Sequence, residues 1–233
     1  MSFENRFPPS EREALRLAVA DLERRSTAEI VPFVVARSDP YANADWKGAA
    51  LGALAGGLAA AALARALGLW GLDPLLWIAL PPAVGAALGW LAARLPFVAR
   101  ALVGKERIDE RVRRRAESAF LAEDLAATAS REGLLLFVSL FERRVLVLPD
   151  LGLRARIPAA SWDSVAAGIA ARLKTQGPAA ALAAGVKEVG VVLRAAGLTF
   201  DSAVHLTTAM SPVSTAPDRP GNELPDELRV EER

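Results

Sequence analysis

The side chains that could carry chemistry are few. Cysteine is absent and histidine occurs once, at His205. That excludes disulfides, thiolate metal sites, a cysteine nucleophile and any multi-histidine metal centre. What remains is a set of carboxylates: Glu123, Asp124, Glu142, Asp150 and Asp163. A hard cation needs several oxygens converging on one point. These acids are scattered over helix and turn positions, several beside arginines, and read as solvated carboxylates. Glu142, Asp150 and Asp124 are the weak metal candidates among them. Ser161 precedes a helical pattern and reads as an N-cap rather than a nucleophile, since no histidine lies near it in sequence to activate it. His205 falls beyond the last helical pattern. No glycine-rich phosphate loop is present. The sequence therefore assigns no catalytic, cofactor-binding or metal residue.

The elements that would have to position such a site are unusual in composition. The chain is 52% hydrophobic and still 24% charged, a mixture expected of a membrane-embedded part joined to a soluble part. From Gly48 to Ala64 runs an uncharged apolar stretch near the short end of the roughly 17–25 residues that cross a bilayer as helix. Gly68, Gly71 and Pro74 supply a turn, and a second apolar run, Leu75 to Ala93, follows. These predict a transmembrane helical hairpin over 46–98. Pro81 and Pro82 interrupt the second span and predict a kink, which a membrane helix tolerates.

Basic residues flank the outer ends of both spans: Arg24, Arg25, Arg37 and Lys47 before, and Arg94, Arg100, Lys105, Arg107 and Arg111 after. The connecting loop carries only Arg65, opposite Asp73. By the positive-inside rule both termini face the cytoplasm, across a plasma (inner) membrane. Gly48, Gly52 and Gly56 recur every fourth residue, as do Gly85 and Gly89. Small residues at this spacing let helix backbones approach closely. Packing of the two spans on each other is the favoured reading, and a homo-oligomer through Gly48, Gly52 and Gly56 is the other. The net charge of +1 gives no global field for nucleic acid. The arginines around 111–115 suit anionic lipid headgroups better, because no aromatic residues sit beside them to stack on bases.

On either side lie soluble patterns. Ser10 and Glu13 read as a capping box opening a helix to about Arg25. Residues 29–38 read as a strand, with Pro32 implying an edge position or a bulge. A long helix is predicted over 108–130 with Gly133 as its stop, then a β-hairpin, 134–140 with 145–149, and two helices, from Ser161 and over 179–196. Residues 198–233 read as an acidic, proline-rich tail without structure of its own. Neither flank can bury a core alone, so 1–45 and 99–197 are expected to form one α/β domain, a small sheet flanked by helices, interrupted by the hairpin.

Three stretches carry a family resemblance. LERRSTAEIVPFVVARS (22–38), REGLLLFVSLFERRVLVLPDLGLRARIP (131–158) and the closing helices with AAALAAGVKEVGVVL resemble the TPM domain family. NELPDELRV (222–230) is similar to the ending of short bacterial members with an inserted two-helix hairpin. The resemblance implies an α/β sandwich. Some members resemble weak acid phosphatases or bind calcium, while others act as accessory proteins of membrane complexes, and a LemA-type membrane protein is the partner the resemblance implies. This chain departs from the family pattern at Arg131, at Glu142 beside Phe141, and at Asp150-Leu151-Gly152, so no family site is carried over. The expected function is a membrane-anchored, non-enzymatic module that binds or helps assemble other membrane proteins. The alternative is a membrane-tethered, calcium- or magnesium-dependent phosphatase.

Overall fold

The computed structural model describes residues 7–68, 74–127, 131–200 and 228–231. The chain divides into two compact units. One combines Met1–Ser38 with Val112–Arg233, and the other is Asp39–Arg111.

The first unit is built on a four-stranded sheet. Strand β1 (Glu29–Val35) pairs in parallel with β2 (Gly133–Ser139), and β2 pairs antiparallel with β3 (Arg144–Pro149). A short β4 (Arg229–Glu231) adds to the far side of β1, in the order β3-β2-β1-β4. Every residue of β2 is buried, as the doubly apolar run LLLFV requires of a central strand covered on both faces. On one face Ile30, Val34, Leu134, Leu136 and Val138 join a single core with α1 (Pro9–Glu23), α7 (Ala159–Arg172) and α8 (Pro178–Ala195). The alternate residues Val31, Phe33, Val35, Leu135 and Phe137 are equally buried on the other face, where Phe33 and Phe137 stack with ring centroids 5.8 Å apart. Helix α5 (Lys105–Ala122) buries Val112, Ala116 and Ala119 as one stripe. Its arginine Arg115 reaches Glu231, and Glu123 just past its end accepts from Arg229 at 2.9 Å. Both β4 partners point to this second face, so α5 covers it.

Several boundaries differ from the sequence reading. Pro8, not Ser10, is the N-cap of α1, with Pro9 opening the helix. Glu13 turns instead to Arg16 (2.7 Å), whose side-chain hydrogen bond holds the Glu13 carboxyl below its ordinary value. Likewise Pro158 is the N-cap of α7, and Ser161 lies in its first turn without capping it. In both cases a proline fixes φ at the helix start and has no N–H to satisfy there. Helix α5 stops at Ala122 rather than Ser130, and Leu125–Ala127 forms a 3₁₀ turn. Gly133 opens β2 rather than closing the helix. A Cβ there would lie 2.7 Å from the Leu125 carbonyl oxygen, so only glycine lets that turn pack on the strand.

Pro32 is in an inner strand, not at an edge. Ile30 N–H donates to Glu23 and Ala36 N–H to Glu231, so the backbone N–H groups of the even-numbered residues of β1 point to the β4 side. Because β4 starts opposite Phe33, the donor that Pro32 lacks would have met no strand among the described residues. Residues 229–231, read as tail, pair there because Val230 faces the core while Arg229 and Glu231 find opposite charges. A short helix α6 (Leu151–Arg156), not foreseen, joins β3 to α7.

The second unit contains α2 (Ala42–Leu67) and α3 (Pro74–Ala93), which pack on each other, and α4 (Pro96–Val103), absent from the sequence reading. Helix α3 continues through Pro81 and Pro82. The glycine stripe lies in the α2–α3 contact. A Cβ on Gly48 would sit 2.5 Å from the Gly89 carbonyl oxygen, one on Gly52 would collide with the Gly85 carbonyl, and one on Gly56 with the Pro81 carbonyl. The outward leucines have no such cover: Leu58 is 63% and Leu88 61% exposed.

Candidate functional site

Two polar clusters sit at opposite ends of β2. At its C-terminal end Ser139 is fully buried on a strand otherwise apolar, and Glu142 in the turn to β3 is buried beside it. The Ser139 hydroxyl donates to Glu142 Oε2, and the Ser38 backbone N–H donates to Glu142 Oε1 at 2.8 Å. The two serine hydroxyls are 2.8 Å apart. One carboxylate therefore clamps the turn after β2 to the segment leaving β1. Backbone bonds from Leu140 N–H to Val35 and from Phe141 N–H to Ala36 reinforce it, and the Arg37 guanidinium lies 3.9 Å over the Phe141 ring. The turn closes with Arg143 at φ 55°.

At the other end Asp150 is buried and held by Arg131 through two hydrogen bonds, 2.7 and 3.2 Å. Those bonds, then the charge of Asp150, raise the Arg131 guanidinium above its ordinary value. Glu132 is also buried and accepts from Arg156 at 3.1 Å. Backbone bonds from Asp150 N–H to Gly133 and from Gly152 N–H to Arg131 tie the two segments.

These arrangements decide what the carboxylates can do. Glu142 and Asp150 flank β3, whose length puts them roughly 20 Å apart, so they cannot share a cation. Asp124 is exposed in a left-handed turn, Asp163 is exposed on α7, and Glu123 is paired with Arg229. Among the described residues no three Asp, Glu or His side chains gather as a metal would require. His205 lies outside the described residues. The serine–carboxylate contact at Ser139 is a dyad in chemical type only, because the hydroxyl is inaccessible and the carboxylate is spent on Ser38. Sequence reasoning missed Ser38, Ser139 and Glu132. A serine ending a strand with no solvent face was the available signal, since a buried hydroxyl needs a partner.

A third feature is an open groove of about 720 Å³ along α1 and α8. Leu22, Val186 and Gly190 form part of its lining, together with Arg25, Lys187 and Arg194.

Residues 100–192 match the TPM domain family. That segment carries the TPM domain. The matched region begins in α4 and ends in α8, so it contains the β2–β3 hairpin, Glu142 and Asp150. Strand β1 precedes it and completes the sheet of the TPM domain from 104 residues upstream in register (Glu29 opposite Gly133). The NMR structure of BA42 protein from the psychrophilic bacterium Bizionia argentinensis sp. nov. is similar to this chain. It has a TM-score of 0.55 at 13% identity, with 99% of each chain covered, which is a likeness of fold. No curated protein matches the chain.

Proposed function

We propose that the protein is a membrane-anchored, non-enzymatic TPM-domain module whose α/β unit binds other membrane proteins and assists their assembly or maintenance. The observation that carries this reading is the exposure of α2 and α3. Both helices are long and apolar enough to cross a membrane, yet only 11% and 6% of their apolar windows are buried inside the protein. Core helices of a soluble protein would be mostly buried, so the uncovered leucines call for lipid. Lys47 at the start of α2 and Arg94 and Arg100 after α3 support an orientation with both termini on the cytoplasmic side of the plasma membrane.

The non-enzymatic part of the reading is supported by the use already made of the buried carboxylates at the two ends of β2: Glu142 by two serines, Asp150 by Arg131, Glu132 by Arg156. The α1–α8 groove, lined by Leu22, Val186 and Gly190 together with Asp21, Arg25, Lys187 and Arg194, is the surface offered to a partner, a LemA-type membrane protein by family resemblance. A homo-oligomer built on Gly48, Gly52 and Gly56 would have to displace α3.

Two measurements test the reading. Carbonate-washed membranes should retain the full chain, and its release into the supernatant would refute the anchor. Purified protein should not hydrolyse phosphate esters with calcium or magnesium. Metal-stimulated turnover by the intact protein would replace the module by a tethered phosphatase.

A further inference from the structure

Helix α4 begins only two residues after α3 ends, with Arg94 and Leu95 between them. At 3.8 Å per residue its first turn lies within about 12 Å of the end of the span. Its eight residues make a helix about 12 Å long, too short to cross a bilayer. One side, with Ala99 buried and Val98, Leu102 and Val103 half-buried, packs against the ends of α2 and α3. The opposite side is open and carries Phe97, 65% exposed, and Ala101 one turn later, with Arg100 beside them and Leu95, 48% exposed, just before the helix. Cations bracket it. The Arg94 guanidinium stacks 3.7 Å over the Trp90 ring, and Lys105 follows the Gly104 turn.

We propose that α4 is a third membrane contact, an interfacial helix whose Phe97–Ala101 face lies at the boundary of headgroups and acyl chains. The proposal rests on the two-span reading of α2 and α3 and adds to it what fixes the depth of the anchor. An apolar face, flanking cations and a length far below a span are the marks of a helix lying in the membrane plane. Tryptophan and arginine stacked at the end of α3 suit the same layer. Continuity decides for lipid over a protein partner, because Leu88 and Leu91, uncovered in the last turns of α3, lie just before the open face in the chain. Two large side chains, both partly covered, offer less than about 300 Å² on this side, short of the roughly 500 Å² per partner that a stable protein interface needs.

The absence of native cysteine makes single nitroxide labels unambiguous. Full-length Phe97→Cys, Ala101→Cys, Leu58→Cys and Leu121→Cys would be labelled and reconstituted in phosphatidylethanolamine–phosphatidylglycerol vesicles. Accessibility to oxygen and to a water-soluble nickel chelate would then be read by EPR. Leu58 should report the bilayer interior and Leu121 water. Phe97 and Ala101 should both report a shallow depth of about 5–10 Å. Water-like values at both α4 positions with Leu58 still deep would overturn the interfacial helix and leave the anchor standing. Exclusion of both reagents at Phe97 and Ala101 would also overturn it, by showing a protein or a second copy over that face. A water-like Leu58 would overturn the anchor and the interfacial helix together.

Discussion

Substituting alanine at two glycines five positions apart in α2 should give effects of opposite sign. At Gly52 the added methyl would lie 2.9 Å from Gly89 Cα and closer still to the Gly85 carbonyl, both backbone atoms that no rotamer change can move. Carbon–carbon contact near 3.8 Å then requires the helices to part by about 1 Å, a gap that forfeits a quarter to a half of each pairwise attraction along the seam. In lipid that attraction is the main force holding the helices together. Overpacking of this kind costs about 1–3 kcal/mol. At Gly57 the same methyl meets only the Pro82 ring, 3.5 Å away in ordinary contact. There the better helix propensity of alanine should add up to about 1 kcal/mol. The two variants should therefore differ by roughly 1–4 kcal/mol. Reversible unfolding of the full chain in mixed SDS–detergent micelles, followed by tryptophan fluorescence, measures the difference. Equal midpoints for Gly52→Ala and Gly57→Ala would refute the α2–α3 seam.

Other outcomes follow from the same geometry. Ser139→Ala leaves a buried Glu142 oxygen without its donor, a loss of about 1–3 kcal/mol; hydrogen exchange should quicken at Phe141 N–H before it does in the middle of β2. Val230→Asp puts a charge on the core-facing side of β4. Exchange at Ala36 N–H, bonded to Glu231 at 3.0 Å, should then accelerate while Leu140 N–H, bonded to Val35, stays protected. The lowered Glu13 value means its tie to Arg16 helps α1 above the ordinary value of 4.5 and is lost as pH falls through the folded-state value. Glu13→Gln should abolish that part of the acid dependence of α1 exchange, and an unchanged acid profile would show that the pair contributes nothing.

Elements with strong, uniform patterns could be read without coordinates. LLLFVS had to be a buried central strand, and the two uncharged runs could only be long apolar helices. The glycines facing Gly85, Gly89 and Pro81 were legible from their four-residue spacing. Less legible were features whose cause is another part of the chain. Val230 looks like an isolated apolar residue until β1 offers an edge, and α4 is too short for its periodicity to stand out. Proline at a helix start competed successfully with the serine caps suggested at Ser10 and Ser161. The polar clusters were hardest, because Ser38 and Ser139 meet through strand pairing across 101 residues.

That pairing has a consequence for synthesis. When β1 leaves the ribosome its partner Gly133–Ser139 does not yet exist, and 104 residues separate the paired positions Glu29 and Gly133. At about 5–20 residues per second the wait is roughly 5–20 s. Through that interval EIVPFVV, an apolar segment suited to strand pairing with any neighbouring nascent chain, has no sheet to join. Pro32 leaves one edge of it a donor short, which hinders the wrong pairing at no cost to the right one. The residue that looks like a flaw in an inner strand is thus placed where it can protect the chain while its own sheet is still being made.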